Sequence, residues 1–210
     1  MTKQTIPKMI VWGFLMIISQ WLTGILMQGL IENDVGLVSL GLIGLIGMIG
    51  WLAYGCRAWL NLTFTRKNWL WGVGALISLI VTSLIWVLIM QLVTGLAMTT
   101  NQQQLNQNLI WTGWRQAVMV LQVVLIAPVL EELLFRGLFQ AWFLKQQEIW
   151  QLVISSLLFA WLHTGSGGSG GAWVLYFSAG LILGYCYQQT KDLKVNIAVH
   201  GLYNWISLII

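Results

Sequence analysis

The apolar positions of this chain form neither a helical stripe nor an alternation; they run unbroken over long stretches. Leu76 to Met90 reads LISLIVTSLIWVLIM, and a helix apolar on every side belongs in a core or in lipid. Seven such segments are predicted as helices: about Met9 to Ile31, Val35 to Tyr54, Trp69 to Met98, Trp111 or Trp114 to Leu144, Ile149 to His163, Ala172 to Gln188 and Val195 to Ile210. Several approach or exceed the roughly 20 residues that cross a bilayer core. A membrane barrel would instead need alternating polarity over segments of about ten residues. The expected fold is all-α, a polytopic helical membrane protein with about seven transmembrane helices. The fourth, at close to 50 Å, is too long for one straight crossing, so Pro128 is expected to kink or divide it.

The polar separators are short. IENDVG joins the first two helices, a basic loop covers Arg57 to Asn68, TTNQQQLNQNL (Thr99 to Leu109) is an exposed linker, and TGSGGSGG (Thr164 to Gly171) is a hinge with few side chains. The second helix carries Gly41, Gly44, Gly47 and Gly50, a winding groove suited to a neighbouring helix. The chain is expected to form a single transmembrane domain over 1–210, with N-terminal helices in 1–110 and the chemistry-bearing residues in 111–210.

Composition sharpens this reading. Of 210 residues, 58% are hydrophobic, 8% are charged and fourteen are tryptophan, with a mean hydropathy of +0.79. The net charge of +4 is spread over connecting loops rather than gathered in a patch, which argues against a nucleic-acid partner and for membrane orientation. With the N-terminus in the cytoplasm and seven crossings, Lys3, Lys8, Arg57, Arg66, Lys67, Lys145, Lys191 and Lys194 all fall inside, and Arg115 alone falls outside. The first apolar run is long and ends at Leu30 and Ile31, so it is read as a retained helix rather than a cleaved signal. Cys56 and Cys186 lack metal-finger spacing and are expected as free thiols.

Against that background, PVLEELLFRG (Pro128 to Gly137) stands out: it places Glu131, Glu132 and Arg136 inside an apolar run. Ionisable groups at membrane depth are costly and are functional candidates. Glu132 and Arg136 are four apart with the acid first, the favourable order for a helical ion pair. Glu131 has Phe135 four positions on and so has no such partner. The two histidines, His163 in FAWLH and His200 in HGLYN, lie on two further helices, with Asn204 one turn after His200. Polar groups in a bundle converge on its interior. A Glu, two His and an Asn suit carbonyl hydrolysis, with a base for water and donors for an oxyanion; Glu131, His163 and His200 could equally supply three zinc ligands. Counted along the helices, Glu131 and His163 lie about 20 Å deep but His200 only about 9 Å past Lys194. Helix tilt, a kink at Pro128 or re-entry of the glycine loop would have to close that gap.

The order EExxxR, FxxxH and HxxxN, here Glu131-Glu132 to Arg136, Phe159 to His163 and His200 to Asn204, resembles the CAAX protease and bacteriocin-processing (CPBP, or Abi) family of intramembrane proteases, which contains the type II CAAX prenyl endopeptidases. The resemblance runs from about Gln116 to the C-terminus; residues 1–110 match only in being membrane helices. It implies an intramembrane endopeptidase acting on a membrane-associated protein or peptide. Glu131 and His163 would activate water, His200 and Asn204 would form the oxyanion site, and Glu132, Arg136 and Phe159 would support them. The family is labelled metalloprotease, yet a metal-free glutamate mechanism is also attributed to it. The metal-free form is favoured, because Asn is a good oxyanion donor and a poor zinc ligand. Competing readings are a non-catalytic bacteriocin self-immunity or membrane binding protein, and a small transporter or proton path. The glycine loop after His163 is expected to let the helix end shift and admit water and peptide.

Overall fold

In the computed structural model, residues 5–60, 65–95, 111–143, 147–165 and 170–209 are described. They fold into helices, with no strand among them. In chain order these are α1 (Thr5–Glu32), α2 (Val35–Gly55), a single turn α3 (Arg57–Leu60), α4 (Arg66–Thr94), α5 (residues 114–142), α6 (Glu148–Thr164), α7 (Gly170–Thr190) and α8 (Leu193–Ser207). The expected Thr99–Leu109 linker, Lys145 and the centre of the glycine loop lie outside the described residues. Pro7–Glu32, Val35–Gly55, Arg66–Val93 and Trp114–Phe139 are long and apolar enough to cross a bilayer. The chain is therefore an all-α, multi-pass membrane protein. The other three long helices do not meet that test; α6 and α8 have only 17 and 15 residues, below the roughly 20 of a full crossing.

The helix ends show why the chain turns where it does. Asp34 caps α2, accepting from the amides of Gly36 and Leu37 at 2.8 and 3.1 Å. Asp192 caps α8 through the amide of Lys194 at 3.0 Å. Both caps satisfy donors that a helix start leaves unpaired. α1 and α2 form a tight antiparallel pair: a Cβ on Gly41 would come within 2.8 Å of the Leu26 amide, and one on Gly44 within 2.5 Å of Leu22 Cδ2. Gly47 and Gly50 face open space, so the expected groove is only half occupied. α6 and α7 pair in the same way, with Gly180 against the Ser156 backbone and Gly184 against Leu152.

α5 is continuous. Pro128 does not divide it; the helix passes through in five contiguous pieces, Trp114–Leu121, a π segment Gln122–Ile126, Ala127–Glu132, a second π segment Leu133–Phe139, and Gln140–Trp142. The first π segment lies just before Pro128, and prolines and π segments are both places where helices bend. α1 braces the second π segment: Trp12 Nε1 donates to Leu134 O at 2.9 Å, and its ring packs edge-on against Phe135 at 5.7 Å. The ends of the helices meet in alternation. Arg115 at the start of α5 donates to Leu30 O near the end of α1 at 3.2 Å, whereas Gly137 in the second half of α5 packs on Cys56 and Leu193. Both cysteines are free and buried, and burial pushes the Cys56 thiol, just past α2, up to about 11.

The hinge predicted at 164–171 is shorter than its sequence suggests. Thr164 closes α6 and donates to Ala160 O at 2.9 Å, while Gly170 and Gly171 open α7. Gly171 lies against Met90 of α4, where a Cβ would be 2.6 Å from the sulfur.

Candidate active site

Glu131 and Glu132 sit in the short α-helical piece between the two π segments of α5. Glu132 is wholly buried and fully engaged. Its Oε1 accepts from Arg136 Nη1 at 3.0 Å and His200 Nδ1 at 2.9 Å, and its Oε2 accepts from Asn196 Nδ2 at 3.1 Å. Arg136, also fully buried, donates from Nη2 to Gly180 O at 3.2 Å and lies over the Phe159 ring at 5.1 Å. Asn196 donates to Leu183 O at 2.7 Å. One carboxylate thus ties α5 to α8 directly and to α7 through the two carbonyls. A buried charge is tolerable only when paired and hydrogen-bonded to this degree.

Glu131 is the opposite case. Its side chain is 17% exposed, and its Oε2 stands 3.6 Å from His163 Nε2 and 3.8 Å from His200 Nε2. Both separations exceed a direct hydrogen bond, and Oε2 is itself buried with no hydrogen-bond partner. The structure therefore brings Glu131, His163 and His200 together from α5, α6 and α8.

Each imidazole is oriented by its other nitrogen. His163 Nδ1 lies 2.9 Å from Phe159 O; a carbonyl only accepts, so Nδ1 carries the hydrogen and Nε2 turns to Glu131. The His163 ring is held between Phe159, at 4.3 Å, and Tyr176, at 4.7 Å and 26°. His200 Nδ1 likewise donates to the Glu132 carboxylate. Despite the depth mismatch counted along the helices, His163 and His200 both reach Glu131; α8 starts beside α6, its cap Asp192 and first residue Leu193 completely buried and the preceding Lys191 paired with Glu148 at 3.8 Å.

Asn204 lies one turn beyond His200 and donates from Nδ2 to Val123 O, in the first π segment, at 2.9 Å. That bond uses one of its two amide hydrogens. Sequence reasoning missed Asn196 and Tyr176, as well as the two α7 carbonyls. Asn196 had a signal: it is four residues before His200 and so shares its helix face. Tyr176 had none, since an aromatic in an apolar helix is ordinary.

Two imidazole nitrogens and a carboxylate are the donor types that hold zinc. Ligands about 2.0–2.1 Å from zinc in a tetrahedron are roughly 3.3 Å apart; here the two imidazole nitrogens stand 3.6 and 3.8 Å from the shared Glu131 oxygen. Among the described residues no three His, Cys, Asp or Glu side chains are arranged to hold a metal.

Residues 113–206 match the family model for type II CAAX prenyl endopeptidase Rce1-like proteins. The chain is similar to UPF0177 protein YvdC of Lactococcus lactis subsp. lactis (strain IL1403), with 30% identity over 125 residues, 57% of this chain and 44% of the relative. It is 28% identical to UPF0177 protein YbdI of the same strain over 148 residues, 70% of this chain and 78% of the relative. A UPF0177 protein in the abiGi 5' region of Lactococcus lactis subsp. cremoris is 30% identical over 87 residues, 41% of this chain and 35% of the relative. The chain thus spans less than half the length of YvdC and of the abiGi-region protein. No solved structure matches it.

Proposed function

We propose, from the match of residues 113–206 to the type II CAAX prenyl endopeptidase Rce1-like family model, that this protein is an intramembrane endopeptidase with Glu131 as its general base. The observation that carries the reading is the position of Glu131 Oε2, a buried carboxylate oxygen within 4 Å of two histidines from two other helices. A water bound between Glu131 and His163 gives one proton to the carboxylate while its other O–H donates a hydrogen bond to His163 Nε2. The hydroxide adds to the substrate carbonyl. The oxyanion is met by His200 Nε2–H and by the second N–H of Asn204, and Glu131, now an acid, returns its proton to the leaving amine.

This assignment needs His200 as the imidazolium, since Nδ1–H is already committed to Glu132. Charge balance supports that form. Two carboxylates, Glu131 and Glu132, then face one guanidinium and one imidazolium, and the cluster is neutral in a low-dielectric site. With neutral histidines, a divalent ion and the hydroxide formed from its bound water would also leave the cluster neutral, so the choice rests on Asn204, a good oxyanion donor and a poor zinc ligand. Were zinc nevertheless held there, Glu131, His163 and His200 would hold it, and it would acidify a bound water. The metal-free form is the one we adopt.

The substrate is a peptide segment reaching the site from the membrane, and the N-terminus is cytoplasmic by the distribution of loop cations. To test hydrolysis, protein reconstituted in liposomes is incubated in ¹⁸O-water with a farnesylated CAAX peptide and with an unprenylated membrane peptide. The reading predicts a product whose new carboxylate carries ¹⁸O. Intact peptides after prolonged incubation with folded protein would instead favour the immunity or binding reading.

A further inference from the structure

Pro128 lies three residues before Glu131, in the interior of α5, where a proline removes a backbone donor and ordinarily disrupts the helix. Here the loss falls on identifiable carbonyls. Val123 O would receive the amide of residue 127 in an α register or of residue 128 in a π register. The Ala127 amide goes to Gln122 O, and Pro128 has no N–H. The α-register donor of the next carbonyl, Val124 O, would also be residue 128.

α8 is seated on these same two oxygens. Asn204 Nδ2 donates to Val123 O at 2.9 Å, and Gly201 lies so close to Val124 O that a Cβ would stand 2.6 Å from it. Two residues of one α8 face thus meet the two carbonyls to which an N–H at residue 128 would point, Val123 O in the π register and Val124 O in the α register, and His200 is carried on the same turn. Any other residue at 128 would bring an N–H to compete for them.

We infer that Pro128 is a positioning residue for Asn204: by withholding its amide it leaves Val123 O to the asparagine, which fixes the side chain so that its second N–H can serve the oxyanion. Gly201 permits the close approach that the bond requires. The catalytic half of this inference rests on the role proposed above for Asn204; the anchoring half does not.

The test is a thermal-unfolding cycle on the full chain in detergent, with wild type, Pro128→Ala, Asn204→Ala and the double variant. A farnesylated, fluorogenic CAAX peptide gives kcat and KM in parallel. The Tm loss caused by Asn204→Ala should shrink by half or more when residue 128 is alanine, because the Val123 carbonyl then has a backbone donor. Pro128→Ala should lower kcat about tenfold or more with little change in KM, although alanine makes the helix more regular. A proline that served only the helix shape would leave kcat unchanged. Gly201→Ala provides a second route, since its methyl lifts α8 from Val124 O; it should lower kcat, and adding Asn204→Ala should cost little further Tm. Additive Tm losses in the cycle, or full turnover by Pro128→Ala, would overturn the inference. The melting cycle decides the anchor whatever the peptide does, whereas wild-type turnover by Glu131→Gln would sink the protease reading and leave the anchor intact.

Discussion

Replacing Glu132 with glutamine should damage the fold far more than the same change at Glu131 one position earlier. Glu132 is completely buried and accepts three side-chain hydrogen bonds, from Arg136, His200 and Asn196. Glutamine keeps the shape but removes the charge, and it turns one acceptor oxygen into a donor facing donors. Arg136, itself fully buried, is left with neutral acceptors only, the remaining amide oxygen and the Gly180 carbonyl. Breaking a buried pair by removing one partner costs about 3–5 kcal/mol, because an uncompensated charge remains. For a chain of this size each kcal/mol moves Tm by roughly 2–4 °C, so a fall of about 6–20 °C is expected. Glu131 Oε2 has only the two histidines nearby, beyond hydrogen-bond distance, and Glu131→Gln should melt within about 2 °C of wild type. The assay is a thermal melt of the three proteins in one detergent, monitored by tryptophan fluorescence. Equal Tm values for Glu132→Gln and wild type would refute the reasoning, since a carboxylate that can be neutralised without cost is not holding Arg136.

Two further outcomes are expected. Gly41→Ala and Gly44→Ala should lower the melting temperature by separating α2 from Leu26 and Leu22 of α1, whereas Gly47→Ala and Gly50→Ala, which meet nothing within 4 Å, should melt as wild type or slightly higher. For metal, elemental analysis of the purified protein should find well under one zinc per chain, with turnover unaffected by a strong chelator; about one zinc, lost and restored together with activity, would replace the metal-free form with a zinc site.

How much of this was legible in the sequence depended on how unusual each residue was in its surroundings. Glu131, Glu132 and Arg136 were conspicuous because lipid-facing positions exclude charge, and the spacing of Glu132 and Arg136 announced a pair that the structure contains at 3.0 Å. Convergence of His163 and His200 on Glu131 followed from the same cost of exposing polar groups to lipid. Asn196 was less visible, because an uncharged amide beside the polar turn at Lys191 to Lys194 looks like a helix start; its role depends on α8 packing against α5 and α7, which no local pattern encodes. That α5 is not divided at Pro128 was hidden for a related reason. A break is the local expectation, but the freed backbone groups find partners supplied from distant helices, Asn204 at the first π segment and Trp12 at the second. The helix count was legible and the number of full crossings was not, since α6 and α8 are apolar yet too short to span alone.

The central claim, that Glu131 is the base, is tested most directly by comparing turnover of wild type and Glu131→Gln in the same liposomes with the farnesylated CAAX peptide and the unprenylated membrane peptide. Glutamine has the same size but takes no proton. Turnover of whichever peptide the wild type cleaves should fall by at least about a hundredfold, with the melting temperature unchanged. Turnover equal to that of wild type would contradict the account.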